Sequence, residues 1–289
     1  MKLLILGYQG NLGGQLLQAF AQNSDYEIFK LDREDLDITN SQALIAKIDE
    51  IKPDIIINAT AYNAVDKCEE DLREYSVAKK INGEAVATLA HAALANNSIL
   101  VHYSTDYVFA GDNSAGYDES SAPAPINNYG QTKLFGEQAI LSLAGQGLKY
   151  YLIRTSKLFG PRGQAEVSKP SFFDIMIDLA QTKEEIDVVD EEISAFTYTP
   201  DLARRTREII EDKRAFGIYH ITNTGYDTWY RAAKELFAIV GADVKVNPVP
   251  GNKLPRPAKR PQYSELMNTK LPAMRDYREA LREYFNIKK

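Results

Sequence analysis

The chain has 289 residues, 44% of them hydrophobic and 26% charged, with a net charge of −6 and a pI near 5.3. That balance excludes a general nucleic-acid surface, and the single cysteine, Cys68, excludes a disulfide framework. No apolar run approaches the ~18 residues of a membrane span, and His91, His102 and His220 lack metal-ligand spacing. Met1-Lys2 leads directly into a strand without room for a signal peptide, so the expected location is cytoplasmic.

Lys2-Leu-Leu-Ile-Leu6 is a short apolar run, the pattern of a buried parallel strand. Gly7-Tyr-Gln-Gly10-Asn-Leu-Gly13 follows at once, and Leu12, Leu16, Leu17 and Phe20 then share one helical face. Strand, glycine turn and helix are the setting of a dinucleotide fingerprint, here spaced G-x-x-G-x-x-G. Glycines let the backbone approach a pyrophosphate, and the helix N-terminus offers N–H groups and a favourable dipole. Gly7, Gly10, Asn11, Leu12 and Gly13 are therefore cofactor-site candidates.

Glu27–Leu31 reads as a second strand ending in Asp32-Arg33. An acidic residue there accepts from adenine-ribose hydroxyls and favours NADH, whereas Arg33 can hold a 2′-phosphate and favours NADPH. The expected cofactor is thus NADPH or NADH. Asp37-Ile38 follows, with Asp37 able either to meet the adenine or to charge the N-terminus of the helix that runs to Ile51. Pro53–Asn58 is a third strand, and Ala59-Thr60-Ala61 ends it with side chains small enough for a ligand to reach the backbone. Residues 74–95 read as one long helix with an alanine-rich face, in which Asn82 is either a surface residue or a buried link.

Ser98–Tyr103 is a fourth strand and delivers Ser104-Thr105-Asp106. Residues 109–128, with two glycines and two prolines, read as a surface loop before a helix from about Asn127 to Ala144. Tyr129 and Lys133 lie four apart on that helix, hence on one face. A phenol has an ordinary pKa near 10, and a neighbouring ammonium lowers it, which makes an acid–base device. The Thr105 hydroxyl opposite can hydrogen-bond a reacting carbonyl. Lys149–Ile153 is a fifth strand, leading to Arg154-Thr-Ser-Lys157.

Five alternations of strand and helix imply an α/β fold, a Rossmann-type doubly wound parallel sheet. All three motifs then fall on the carboxyl edge of the strands. Beyond Gly160 the pattern alternates between sheet and a smaller lobe: helix near 170–180, strand 187–190, helix 200–211, strand 217–222, helix 229–240, a Pro-rich basic stretch at 247–263, and a last helix 275–285. Residues 1–157 and 188–222 are assigned to the dinucleotide-binding domain, and 158–187 and 223–289 to a substrate-binding lobe. Lys253, Arg256, Lys259 and Arg260 form the densest basic cluster, either solvated or facing a substrate phosphate.

Beyond these readings, the chain resembles the extended short-chain dehydrogenases/reductases, and more closely the dTDP-4-dehydrorhamnose reductase family. The resemblance rests on the glycine turn, Asn58-Ala-Thr-Ala61, Ala64-Val-Asp-Lys67, His102-Tyr-Ser-Thr-Asp-Tyr-Val-Phe109, Tyr129-Gly-Gln-Thr-Lys133, Arg154-Thr-Ser156, Thr197–Ala203, Gly217–Asn223 and Arg260–Ser264. It implies hydride transfer from NAD(P)H to the C4 ketone of a dTDP-6-deoxy-hexulose. Tyr129 would protonate the developing alkoxide, Lys133 would lower its pKa and bind the nicotinamide ribose, and Thr105 would orient the ketone. Val65, Asp66, Ser104, Asp106, Tyr107 and Lys157 would line the sugar, with Arg260 toward the nucleotide. The alternatives are a related nucleotide-sugar 4-ketoreductase or epimerase, and a non-catalytic NADP-binding regulatory subunit.

Four departures stand out. Lys157 occupies a position where the family commonly has a Trp against the sugar, and Glu191–Thr197 lacks the family's turn glycine and proline. Asn11 replaces a Gln, and Gln15 replaces a Glu that ligates magnesium between subunits in some members. A neutral amide is a weaker Mg²⁺ ligand than a carboxylate, so no metal is expected and the assembly reads as a monomer or weak homodimer.

Overall fold

A computed structural model of the protein describes residues 1–165 and 168–286. The parts of the predicted lobe at 166–167 and 287–289 lie outside the described residues.

Strands β1 (Lys2–Leu6), β2 (Glu27–Leu31), β3 (Ile55–Asn58), β4 (Ile99–Thr105) and β5 (Lys149–Thr155) join Gly217–His220 in one six-stranded sheet. Every pairing in it is parallel, and the spatial order is β2-β1-β3-β4-β5 followed by Gly217–His220. Order reverses between β1 and β3, so the glycine turn after β1 and Ala59–Ala61 after β3 flank a topological switch point. Alternate side chains of β1 go to opposite faces, as a pleated strand requires. Leu3 and Ile5 pack with Leu12, Leu16 and Phe20 of α1 (Asn11–Ala21) on one side. Leu4 and Leu6 pack with Leu44 and Ile48 of α2 (Ser41–Ile51) on the other.

The predicted helix 74–95 is interrupted. After α3 (Val65–Glu70) and α4 (Leu72–Lys79), Lys80–Glu84 forms a π-turn, and α5 (Ala85–Ala95) resumes. Asn82 sits in that turn, buried, where it accepts from the Tyr62 N–H and donates to the Tyr62 carbonyl and the Thr132 hydroxyl, at 2.9, 2.9 and 3.0 Å. It is a buried link. The bulge also admits α6 (Asn128–Ala144) closely: a Cβ on Gly136 would lie 2.3 Å from the Asn82 carbonyl oxygen. Here an amide that competes with the helix ladder is used to dock the helix carrying Tyr129 and Lys133.

Residues 109–128 are less free than a surface loop. Phe109 and Tyr117 stack at 4.3 Å, and Tyr117 exchanges backbone hydrogen bonds of 2.8 Å with Glu265 and Met267. The lobe consists of α7 (Phe172–Ala180), α9 (Trp229–Val240), α10 (Tyr277–Tyr284) and the paired strands Glu185–Val189 and Lys245–Val249. Its core is aromatic, with Phe159, Phe173, Phe196, Tyr198 and Tyr277 buried together. Val188 and Phe196 belong to this cluster, whereas Leu202 and Ile209 of α8 (Thr199–Glu211) pack on the sheet with α1. Residues up to Tyr198 thus pack with the aromatic cluster, and those of α8 with the sheet.

Candidate active site

The glycine turn is built for close approach. Gly7 has φ +79, a conformation costly for other residues, and a Cβ on Gly13 would lie 1.9 Å from the Gly7 carbonyl oxygen. Gly10 caps α1 without a side chain, so the first N–H groups of the helix, beginning at Asn11 and Leu12, face the turn with no side-chain cap. This cradle fits a dinucleotide pyrophosphate. The Asn11 side chain is engaged elsewhere: it accepts from the Gly163 N–H at 2.9 Å and donates to the Lys169 carbonyl at 3.1 Å. What Asn11 can offer a cofactor is its backbone.

Asp32 accepts from the Gln9 N–H at 2.9 Å and from the Arg33 N–H at 2.8 Å, which ties the end of β2 to the glycine turn. Asp37 binds the N–H and hydroxyl of Thr39, at 2.9 and 2.7 Å, and these bonds hold its carboxyl below the ordinary range. Ile38 packs against the α2 side of the core. Thr60 folds back on Asn58 with a 2.5 Å hydrogen bond, Ala59 is half-buried and Ala61 is exposed.

Strand β4 extends two residues further than predicted, so Ser104 and Thr105 are part of the sheet. The Thr105 hydroxyl donates to Asp106 at 3.1 Å and lies near the Tyr129 phenol. Asp106 is buried and is the hub of the site. It also accepts from Ser156 at 2.9 Å and from Ser264 at 2.7 Å, which joins β4, β5 and the C-terminal segment at one carboxylate. Burial raises the pKa of Asp106 while the three hydroxyls oppose that rise. Ser104 is buried without a hydrogen-bond partner among the described residues.

Tyr129 opens α6, whose cap Asn127 accepts from the Gly130 N–H at 2.8 Å. Gly130 lets the helix end sit on Tyr107, since a Cβ there would be 2.1 Å from the Tyr107 carbonyl oxygen. Tyr107 in turn meets the Tyr129 ring edge-on at 6.0 Å. The lowered phenol pKa expected from Lys133 is not found: burial, then the charge of Asp106, hold Tyr129 well above the ordinary phenol range. The reason is geometric. The Lys133 amine donates to the Tyr103 carbonyl at 2.6 Å, and its own burial draws its pKa down to about 8.

On the lobe side, Val65 opens α3 beside Asp66. Asp66 and Arg260, expected at the sugar and nucleotide ends respectively, pair with each other through bonds of 2.5 and 2.7 Å. Arg256 pairs with Glu192 and Lys253 with Asp187, so three members of the basic cluster are neutralised by lobe or α3 carboxylates. Lys157 was expected to remove an aromatic surface from the site. Instead its amine lies 3.7 Å from the Trp229 ring centre and 4.9 Å from that of Phe196. The aromatic wall is present but comes from α9 and the altered loop. Trp229, Glu192 and Phe196 are the residues the sequence reading missed; the one available signal was that Trp229 is the chain's sole tryptophan.

The RmlD substrate binding domain family model matches residues 1–289. A probable dTDP-4,6-dihydroxy-2-methyloxan-3-one 4-ketoreductase of Streptomyces antibioticus is 38% identical, across 99% of this chain and 95% of the relative. A dTDP-4-dehydrorhamnose reductase of Burkholderia thailandensis is 34% identical, across 99% and 94%. The crystal structure of dTDP-4-dehydrorhamnose reductase from Bacillus anthracis in complex with NADP superposes with a TM-score of 0.90, at 36% identity and 99% coverage of both chains. The chain belongs to the RmlD substrate binding domain family, the NAD(P)H-dependent dTDP-4-dehydrorhamnose reductases.

Proposed function

We propose that this protein reduces the C4 ketone of a dTDP-6-deoxy-hexulose, as a dTDP-4-dehydrorhamnose reductase does. One observation supports this above the others: Thr105 and the half-buried Tyr129 phenol are neighbours at the carboxyl edge of the sheet that also carries the glycine cradle. When bound, NAD(P)H supplies the hydride.

The chain's own residues handle the oxygen. As charge develops there, a proton donor must already be in place. Tyr129, which stays protonated through neutral pH, gives its phenolic proton to that oxygen. Thr105 orients it from the other side by turning its one hydroxyl proton from Asp106 to that oxygen. Lys133, on the same helical face but with its amine held by the Tyr103 carbonyl, binds the nicotinamide ribose rather than the phenol. Gly7, Gly10 and Gly13 with the α1 N-terminus hold the pyrophosphate, and Asp32, Arg33, Asp37, Ile38 and Ala59–Ala61 surround the adenosine end. Arg260 and Asp66 close over the nucleotide sugar from the lobe side, with Val65, Ser104, Tyr107 and Lys157 around the hexose. The working location is the cytoplasm, and the assembly a monomer or weak homodimer.

The test follows NADPH and NADH oxidation with dTDP-4-keto-6-deoxy sugars. Tyr129→Phe should lose at least about 100-fold in turnover, the lower end of acid–base contributions. Stoichiometric cofactor consumption is expected; turnover without net consumption would instead assign an epimerase. Unchanged turnover in the Phe variant would remove Tyr129 from the chemistry.

A further inference from the structure

The Lys157 amine is shielded from solvent and has no hydrogen-bond partner among the described residues. An ammonium carries three donors, and leaving them unmet in a protein interior is costly. Three carboxylates lie nearby, and each is satisfied by other groups. Asp106 accepts from three hydroxyls, Glu192 pairs with Arg256, and Asp227 pairs with Arg278. Lys157 is also held at φ +38, in the left-handed region that non-glycine residues rarely adopt. Backbone cost and desolvation are both tolerated to aim this amine at the aromatic wall.

The amine borders a cavity of about 50 Å³ lined by Phe159, Phe172, Phe173, Phe196 and Trp229. That volume admits a hydroxyl group or a few waters and is far too small for a hexose ring. A methyl group would fill the space but leave the donors unmet. An anionic substituent would add an unmatched charge beside Asp106, whose oxygens are already taken. A neutral oxygen acceptor satisfies the amine without that penalty. Lys157 follows Ser156, which bonds Asp106 beside Thr105, so its amine belongs to the same corner of the molecule as the hydroxyl that would orient the ketone.

We propose that Lys157 is a specificity-determining residue that donates a hydrogen bond to a sugar hydroxyl on C2 or C3, near the C4 ketone, so that the enzyme selects hydroxylated over deoxygenated hexuloses. This rests on the 4-ketoreductase reading. Trp229 and Phe196 carry the amine by cation–π contact, and the Trp229 indole N–H donates to Glu192 at 2.9 Å, which fixes the ring.

The experiment compares kcat/KM for dTDP-4-dehydrorhamnose with its 2-deoxy and 3-deoxy analogues, in wild type and in Lys157→Met and Lys157→Gln. Thermal melts and NADP⁺ binding establish that each variant is folded. Wild type should prefer the hydroxylated sugar over at least one analogue by about 10- to 100-fold, the worth of a hydrogen bond to a charged group. Lys157→Met should collapse that ratio toward one, and Lys157→Gln, which keeps an N–H donor, should retain part of it. A packing role alone would lower all three substrates together and leave the ratio intact; an unchanged ratio in both variants overturns the proposal. A wild-type enzyme that oxidises neither NADPH nor NADH with any of the three sugars overturns the 4-ketoreductase reading itself, a distinguishable result.

Discussion

The Arg154–Glu137 pair in the sheet body and the Lys157 amine against the lobe hold buried charge in opposite ways. In the body, the buried Arg154–Glu137 pair is complete: Glu137 accepts three N–H bonds of 2.6 to 3.3 Å, and both side chains are almost wholly buried. Against the lobe, the Lys157 amine is buried beside rings with its donors unmet. A saturated network fixes geometry, whereas an unsaturated group has binding capacity left over. Under the proposal above, the difference separates a residue pair that builds the platform from a residue that reads the substrate.

The sharpest break of that comparison is on the saturated side. Arg154→Met leaves Glu137 as an uncompensated buried charge, and stability should fall by about 3–5 kcal/mol. Urea unfolding checks this; a loss under about 1 kcal/mol would mean that water reaches Glu137. Next comes Gly13→Ala. The new methyl meets a backbone oxygen that no rotamer change can move, so the turn must shift. A stability loss of about 1–3 kcal/mol is expected, with NADP⁺ affinity reduced in the same variant by calorimetry. Unaltered NADP⁺ affinity would place the pyrophosphate away from this turn.

The two regions also differ in how far they can be read from sequence. The body follows from short-range rules: apolar strands, glycines where the backbone closes up, and Tyr129 and Lys133 on one helical face. Trp229–Val240 was legible for the same reason, since its apolar period is 3.6. The π-turn at Asn82 was not, because its cause is Tyr62 and Thr132, 20 and 50 residues away. Nor was the Asp106 hub, whose partners Ser156 and Ser264 are ordinary serines until the fold converges them. The charge environment of Tyr129 was misread, because spacing puts Lys133 on its face but cannot show that the amine turns to Tyr103. Lys157 illustrates the limit: its identity marked a departure, but the ring it rests on lies 72 positions further along the chain, at Trp229.

Unmet donors also leave a titration signature. Burial pushes Lys157 down to about 7 and Lys133 down to about 8, against an unfolded value near 10.4. From about pH 7 to 10 the unfolded chain therefore holds more protons than the native one, and stability rises with pH across that window. Asp106 has the opposite sign at lower pH: its raised pKa makes the native state hold the extra proton, so stability falls as pH rises through that range. Lys157→Met should flatten the upper slope and raise Tm at pH 7 by about 2–4 °C or more. Melts at intervals from pH 6.5 to 9.5 check both, and an unchanged slope would show that the amine is hydrated in solution.

The smallest effect on stability tests the contact that bridges the two regions. Arg260 reaches from the C-terminal segment to Asp66 on α3, and Asp66 is 38% exposed. Arg260 itself is only 11% exposed, but Asp66 keeps enough water to stay solvated once the guanidinium is gone, so Arg260→Ala should cost about 1 kcal/mol or less and move Tm little. Its effect on catalysis should be unequal. If the guanidinium exchanges Asp66 for the substrate diphosphate, KM rises while kcat changes little, because that contact is the same in ground and transition states. The rise should shrink as salt increases, since the interaction is between charges near the surface. A fall in kcat with KM unaltered would instead make the Asp66–Arg260 bridge part of the closure that aligns the ketone, and would move Arg260 from holding the nucleotide to positioning the lobe.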